Sequence, residues 1–110
     1  MKRVVLLTGV SLIVMSAAAA EIDVFEGRFT TEENGEFAVL TLAVEGSGYT
    51  GAIVLDGYST VITAKRRGKD LQGELHERDG EIAPFVARVS SVYLIMEFDD
   101  GAMIVFRRDQ

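Results

Sequence analysis

The chain of 110 residues has no cysteine and no tryptophan, and only one proline and one histidine. Without cysteine there is no disulfide, no thiolate nucleophile, no thiolate metal ligand and no lipoprotein-type anchor. The lone histidine, His76, excludes a multi-histidine metal centre, and any Ser-His-Asp arrangement would have to use it. It lies on the polar face of "LQGELHER" beside Glu74 and Glu77, which reads as solvated surface. No Gly-x-Ser-x-Gly elbow occurs, "EGSGYTG" reads as a hairpin loop, and no glycine loop leads into a helix to cradle phosphate. The expectation is a protein that is not an enzyme and has no cofactor. A carboxylate-based enzyme is the least favoured alternative, because carboxylate spacing across strands is not readable.

A basic balance is also missing. The first segment, "MKRVVLLTGVSLIVMSAAAA", has a basic start, an apolar run from Val4 to Met15, and Ala18-x-Ala20 before the first acid. That pattern reads as a secretory signal peptide over residues 1–20, cleaved near Ala20. The expected mature domain is 21–110, periplasmic or secreted. Setting aside Lys2 and Arg3 leaves 9 of the 11 bases against all 17 acids, a net charge of −8. A nucleic-acid partner and docking on anionic lipid are therefore not expected. Membrane insertion of the mature chain is not expected either. Its apparent strands are shorter than the ~9–11 residues of a membrane barrel, and Glu26, Glu74 and His76 would face lipid.

What is present is a repeat. "YTGAIVLDG" (49–57) and "LQGELHERDG" (71–80) share an internal glycine, alternation and a closing Asp-Gly. "FEGRFTTEENG" (25–35) and "VYLIMEFDDG" (92–101) extend the pattern, with closing glycines 22, 23 and 21 residues apart. Each is followed by a return run: "EFAVLTLAVE", "YSTVITAKRR", "EIAPFVARV" and "AMIVFRR". Asn-Gly and Asp-Gly favour tight hairpin turns, which need positive φ. The chain is therefore expected to be all-β, with four hairpins forming an eight-stranded antiparallel up-and-down meander barrel. A two-sheet β-sandwich is the alternative. Pro84 marks a bulge or an edge-facing position. In strand count and order alone this architecture is similar to the lipocalin and avidin barrels. The Gly-x-Trp expected of a lipocalin is absent.

Three site expectations follow. Inward Gly27, Gly51 and Gly73 either make room for a ligand or let strands coil tightly where a small barrel closes. Strands two to four carry apolar residues on both faces, which places Leu40, Leu42, Val44, Ala52, Val54 and Val61 in an outer binding patch. A glutamate at Leu42 or Val54 should then weaken association and leave the fold intact. Finally, all four Gly turns of a meander fall at one end. That end gathers Glu32, Glu33, Glu36, Asp56, Glu77, Asp79, Glu81, Asp99 and Asp100, an acidic pole for a basic partner or weakly held Ca²⁺. The opposite pole gathers Lys65, Arg66, Arg67, Lys69, Arg88, Arg107 and Arg108. The function expected is an exported barrel that binds another protein, of inhibitor, immunity or assembly-accessory type, or that forms a homodimer. The alternative is a calyx holding a small apolar ligand.

Overall fold

The computed structural model describes residues 23–109, and the predicted signal peptide lies outside them. Eight strands follow in chain order: β1 (Gly27–Glu33), β2 (Glu36–Glu45), β3 (Gly48–Leu55), β4 (Tyr58–Arg67), β5 (Asp70–His76), β6 (Ile82–Ser90), β7 (Tyr93–Phe98) and β8 (Met103–Arg108). Each pairs antiparallel with the next, and β1 pairs with β8, which closes the barrel. The meander is thus realised and the sandwich is not.

The turns explain why so regular a meander forms. At one end Asn34-Gly35 and Asp56-Gly57 both have positive φ at their two central residues, the twist that suits two-residue hairpins. The other two turns at this end share a longer design. The Glu77 N–H donates to Glu81 O at 2.8 Å and the Gly80 N–H to Glu77 O at 3.0 Å. The same pair recurs from the Phe98 N–H to Ala102 O and from the Gly101 N–H to Phe98 O, both at 2.9 Å. At the opposite end three short turns have positive φ at Gly46, Gly68 and Ser91.

Alternation along each strand sends one set of side chains inward. Phe25, Phe29, Leu40, Ile62, Leu71, Leu94, Met96 and Phe106 are fully buried in one continuous core. An eight-stranded barrel is narrow enough for side chains to fill. The inward glycines act at close strand contacts. A Cβ at Gly51 would lie 1.9 Å from the Thr41 carbonyl oxygen. One at Gly73 would lie 2.5 Å from Phe85 Cζ and 2.8 Å from Ala64 Cβ. The space is already occupied by backbone and by an aromatic ring, which favours the coiling role over ligand room.

One end of the barrel is sealed by residues 23–26, which precede β1. Phe25 inserts beneath the core, fully buried, with its N–H on Asp23 Oδ1 at 2.9 Å. The Arg66 guanidinium stacks over the Phe25 ring at 5.1 Å and that of Arg108 over Phe29 at 4.5 Å. Arg108 also donates to the carbonyls of Glu26, at 2.9 Å, and of Val24. Two of the basic residues at this end therefore form part of a plug.

Two ladders stop short at the other end. The β1–β8 register covers only Phe29↔Arg108 and Thr30↔Arg107, reinforced by the Asp109 N–H on Arg28 O and an Arg28–Asp109 ion pair. The β6–β7 ladder begins at Phe85↔Phe98, so Pro84 lies where β6 pairs with β5 alone. Proline has no N–H for a second ladder, and the edge-facing expectation for Pro84 holds.

The outer patch needs correction. Leu40 is 0% exposed and Leu42 3%, both in the core. The cause is register: Leu40 pairs with inward Phe29 and Ile53, and Leu42 with Gly27 and Gly51. Val44 shares their inward parity and is exposed only because it lies at the barrel's end. Ala52, Val54 and Val61 do face outward, with Val39 opposite Val54 and Ala52 opposite Val61. The outer apolar strip is therefore narrower than expected and runs through Val39 in place of Leu40 and Leu42.

Candidate binding surface at the turn end

The four Gly turns project from the end opposite the plug. In and beside them lie Glu32, Glu33, Glu36, Asp56, Glu77, Asp79, Glu81, Asp99 and Asp100. Among the described residues the ion pairs are Arg28–Asp109, Arg66–Asp23 and Arg88–Glu97, and His76 approaches Glu74. None involves an acid of the turn end. Its one cation, Arg78, stacks over the Tyr58 ring at 4.7 Å. At the plugged end Arg66, Arg88 and Arg108 have acid or carbonyl partners, whereas the carboxylates of the turn end leave their negative potential uncompensated.

Two of the acids also shape their loops. Asp79 Oδ1 accepts the Glu81 N–H and Asp100 Oδ1 accepts the Ala102 N–H, both at 2.9 Å. Among the described residues no group of three or more Asp, Glu or His side chains is placed to hold a metal ion. The acidic pole thus offers Ca²⁺ no chelating group there.

Between the acids stand large apolar side chains. Phe37 is 52% exposed, Tyr58 60%, Ile82 52% and Met103 55%, and Leu55 is also exposed. Each follows or flanks a turn: Glu32 pairs with Phe37, Leu55 with Tyr58, His76 with Ile82, and Glu97 with Met103. Sequence reasoning missed these residues, although a signal was present. Every closing glycine is followed within two positions by a large apolar residue: Phe37 after Gly35, Tyr58 after Gly57, Ile82 after Gly80 and Met103 after Gly101. Exposed aromatic and methionine side chains grouped together mark interaction surfaces more often than scattered ones do.

Two depressions mark the wall. A trough of about 560 Å³ runs along the outside of β4, β5 and β6, past Lys65, Arg67, Gln72 and Glu74. A smaller pit of about 360 Å³ lies at the turn end, where Leu75, Ala83 and Phe98 form an apolar floor. Of Tyr49, Ile53, Leu75 and Met96, the side chains that would line a calyx, Leu75 alone borders one of them, at the floor of the pit. His76 lies on the outer wall, with Nε2 2.9 Å from Thr63 Oγ1 and 4.0 Å from Glu74 Oε1. No protein-family model matches the chain, and no curated protein or solved structure matches it.

Proposed function

We propose that this protein is an exported, non-catalytic binding module that engages a protein partner through the turn end of its barrel. One observation carries the reading: all four turns of that end set an exposed large apolar side chain beside unpaired carboxylates. The other end is closed by Asp23–Glu26 and the interior is filled, which favours a surface role over a calyx. Apolar anchors supply affinity at such a surface, and its negative potential selects partners with a basic contact face. Inhibitor, immunity and assembly-accessory roles all fit such a surface.

The test is capture from cell-envelope extract on immobilised protein. A partner retained by the wild type, and lost with Tyr58→Ser plus Met103→Ser at unchanged melting temperature, supports the reading. No partner retained at micromolar protein removes it.

A further inference from the structure

The pit at the turn end has a cause in the sequence. Past Phe85↔Phe98 the β6–β7 ladder is not made, and Pro84 supplies no N–H to extend it. The β5–β6 and β7–β8 hairpins therefore part at their tips. The gap between them has an apolar floor of Leu75, Ala83 and Phe98 beneath a rim of Glu77, Asp99 and Asp100. Its volume of about 360 Å³ exceeds that of any single side chain.

We infer that this pit receives the side chain of a lysine or arginine from the partner protein, and so names the chemistry of the proposed surface. A long basic side chain is apolar along its stem and charged only at its tip. Its methylenes match the Leu75, Ala83 and Phe98 floor, and its cation reaches the three rim carboxylates. A neutral apolar side chain would leave the rim unused. A bare hydrated cation would meet acids too scattered to chelate it and leave the floor wet. The rim acids alone mark only solvated turns, and the apolar pit under them provides the selection. Coupling of the two parts also accounts for the neighbouring apolar residues at the turn end, which pack around the anchored side chain and exclude water.

The probe is n-butylammonium, the lysine side chain without its backbone, titrated into the ¹⁵N-labelled protein and followed by amide shifts. The expected result is saturable shifts at Ala83, Phe98, Asp99 and Ala102. Neutral n-pentanol should bind about two- to fivefold more weakly, and so should butylammonium to Asp99→Asn with Asp100→Asn, the range of an exposed ion pair. The asparagine at 100 can still accept the Ala102 N–H, so the loop keeps its bond. Ala102→Leu, at an exposed position on the pit's edge, should abolish the shifts. Equal shifts from KCl, equal binding of pentanol, or no response to either variant overturns the inference. Self-association lost in the double asparagine variant overturns it too, since the occupant would then be a basic turn of a second copy, such as that at Lys69. The inference fails apart from the reading it rests on. A partner lost with Tyr58→Ser and Met103→Ser but held equally by Asp99→Asn with Asp100→Asn keeps the surface and removes the pit.

Discussion

The Tyr49 hydroxyl donates to Asp23 Oδ2 at 2.6 Å, and through it the N-terminal segment is tied to β3 across the mouth of the barrel. Arg66 completes the contact, with Nη1 3.4 Å from the Tyr49 hydroxyl and 4.0 Å from Asp23 Oδ1. Burial, then the Asp23 carboxylate, push the Tyr49 phenol above its ordinary pKa, against the opposing pull of Arg66. An unfolded tyrosine ionises near pH ~10. The folded phenol holds its proton higher, so its stabilisation is complete below that pH and is lost as pH rises through the raised value. Tyr49→Phe should cost about 1 kcal/mol at neutral pH. It should also flatten the alkaline limb of a urea-midpoint profile, and an unchanged limb would show that the bond does not secure the plug.

The faces of β2 and β3 are tested by charge. Leu42→Glu places a carboxylate in the core, opposite Gly27 and Gly51, and should unfold the barrel or cost more than about 3 kcal/mol. Val54→Glu points outward and should change stability by less than about 0.5 kcal/mol. Equal effects in circular-dichroism melts would contradict the register.

Gly51 is set by strand approach. Because an added Cβ would overlap the Thr41 carbonyl, Gly51→Ala should destabilise by roughly 1–3 kcal/mol through forced backbone shift. The denaturation midpoint in urea reports it, and a neutral result would mean that β2 and β3 separate freely there.

Ser91 occupies a position where the equivalent turns have Gly46 and Gly68. Its φ is +58°, and Gly46 and Gly68 have +60° and +62°. A side chain in this region is strained by about 1–2 kcal/mol, and glycine returns part of that gain as lost chain entropy. Ser91→Gly should raise stability by roughly 0.5–1 kcal/mol, read as an upward shift in melting temperature.

The β1–β8 seam should be the loosest part of the wall. Arg28 O faces β8, so by strand parity Glu32 faces it too. Arg108 bonds back to Val92, so Val105 and Met103 face β1. Past Thr30↔Arg107 those groups have no partner in the ladder. Amides of Glu32, Met103 and Val105 should exchange with solvent at least about tenfold faster than those of Leu40 or Ile62, a difference of local opening. Equal protection would mean that the seam is closed along its length.

The meander was legible because its signals are local. Asn34-Gly35, Asp56-Gly57, Gly80 and Gly101 announce their turns, and alternation between them marks strands whose inward set on β3, β5 and β7 was readable by eye. The acidic turn end followed from topology alone. The β2 strand was misread because Leu40 and Leu42 alternate with Val39, so both of its faces look apolar. Counting seven residues from Gly35, Gly57 and Gly80 places Leu42 with buried Ala64 and Ala87, and exposed Ala43 off that row.

By itself the sequence determined the strand count, the turn chemistry and the collection of charge at two ends, because each depends on residues within one hairpin. Tertiary structure decided which residues of β2 face inward, since inter-strand pairing sets that face. It closed one end with Phe25, Asp23, Tyr49, Arg66 and Arg108, residues up to 85 positions apart in the chain. It also opened the pit between two hairpins beside Pro84. These features depend on register accumulated around the closed barrel, and no single stretch of sequence carries that information.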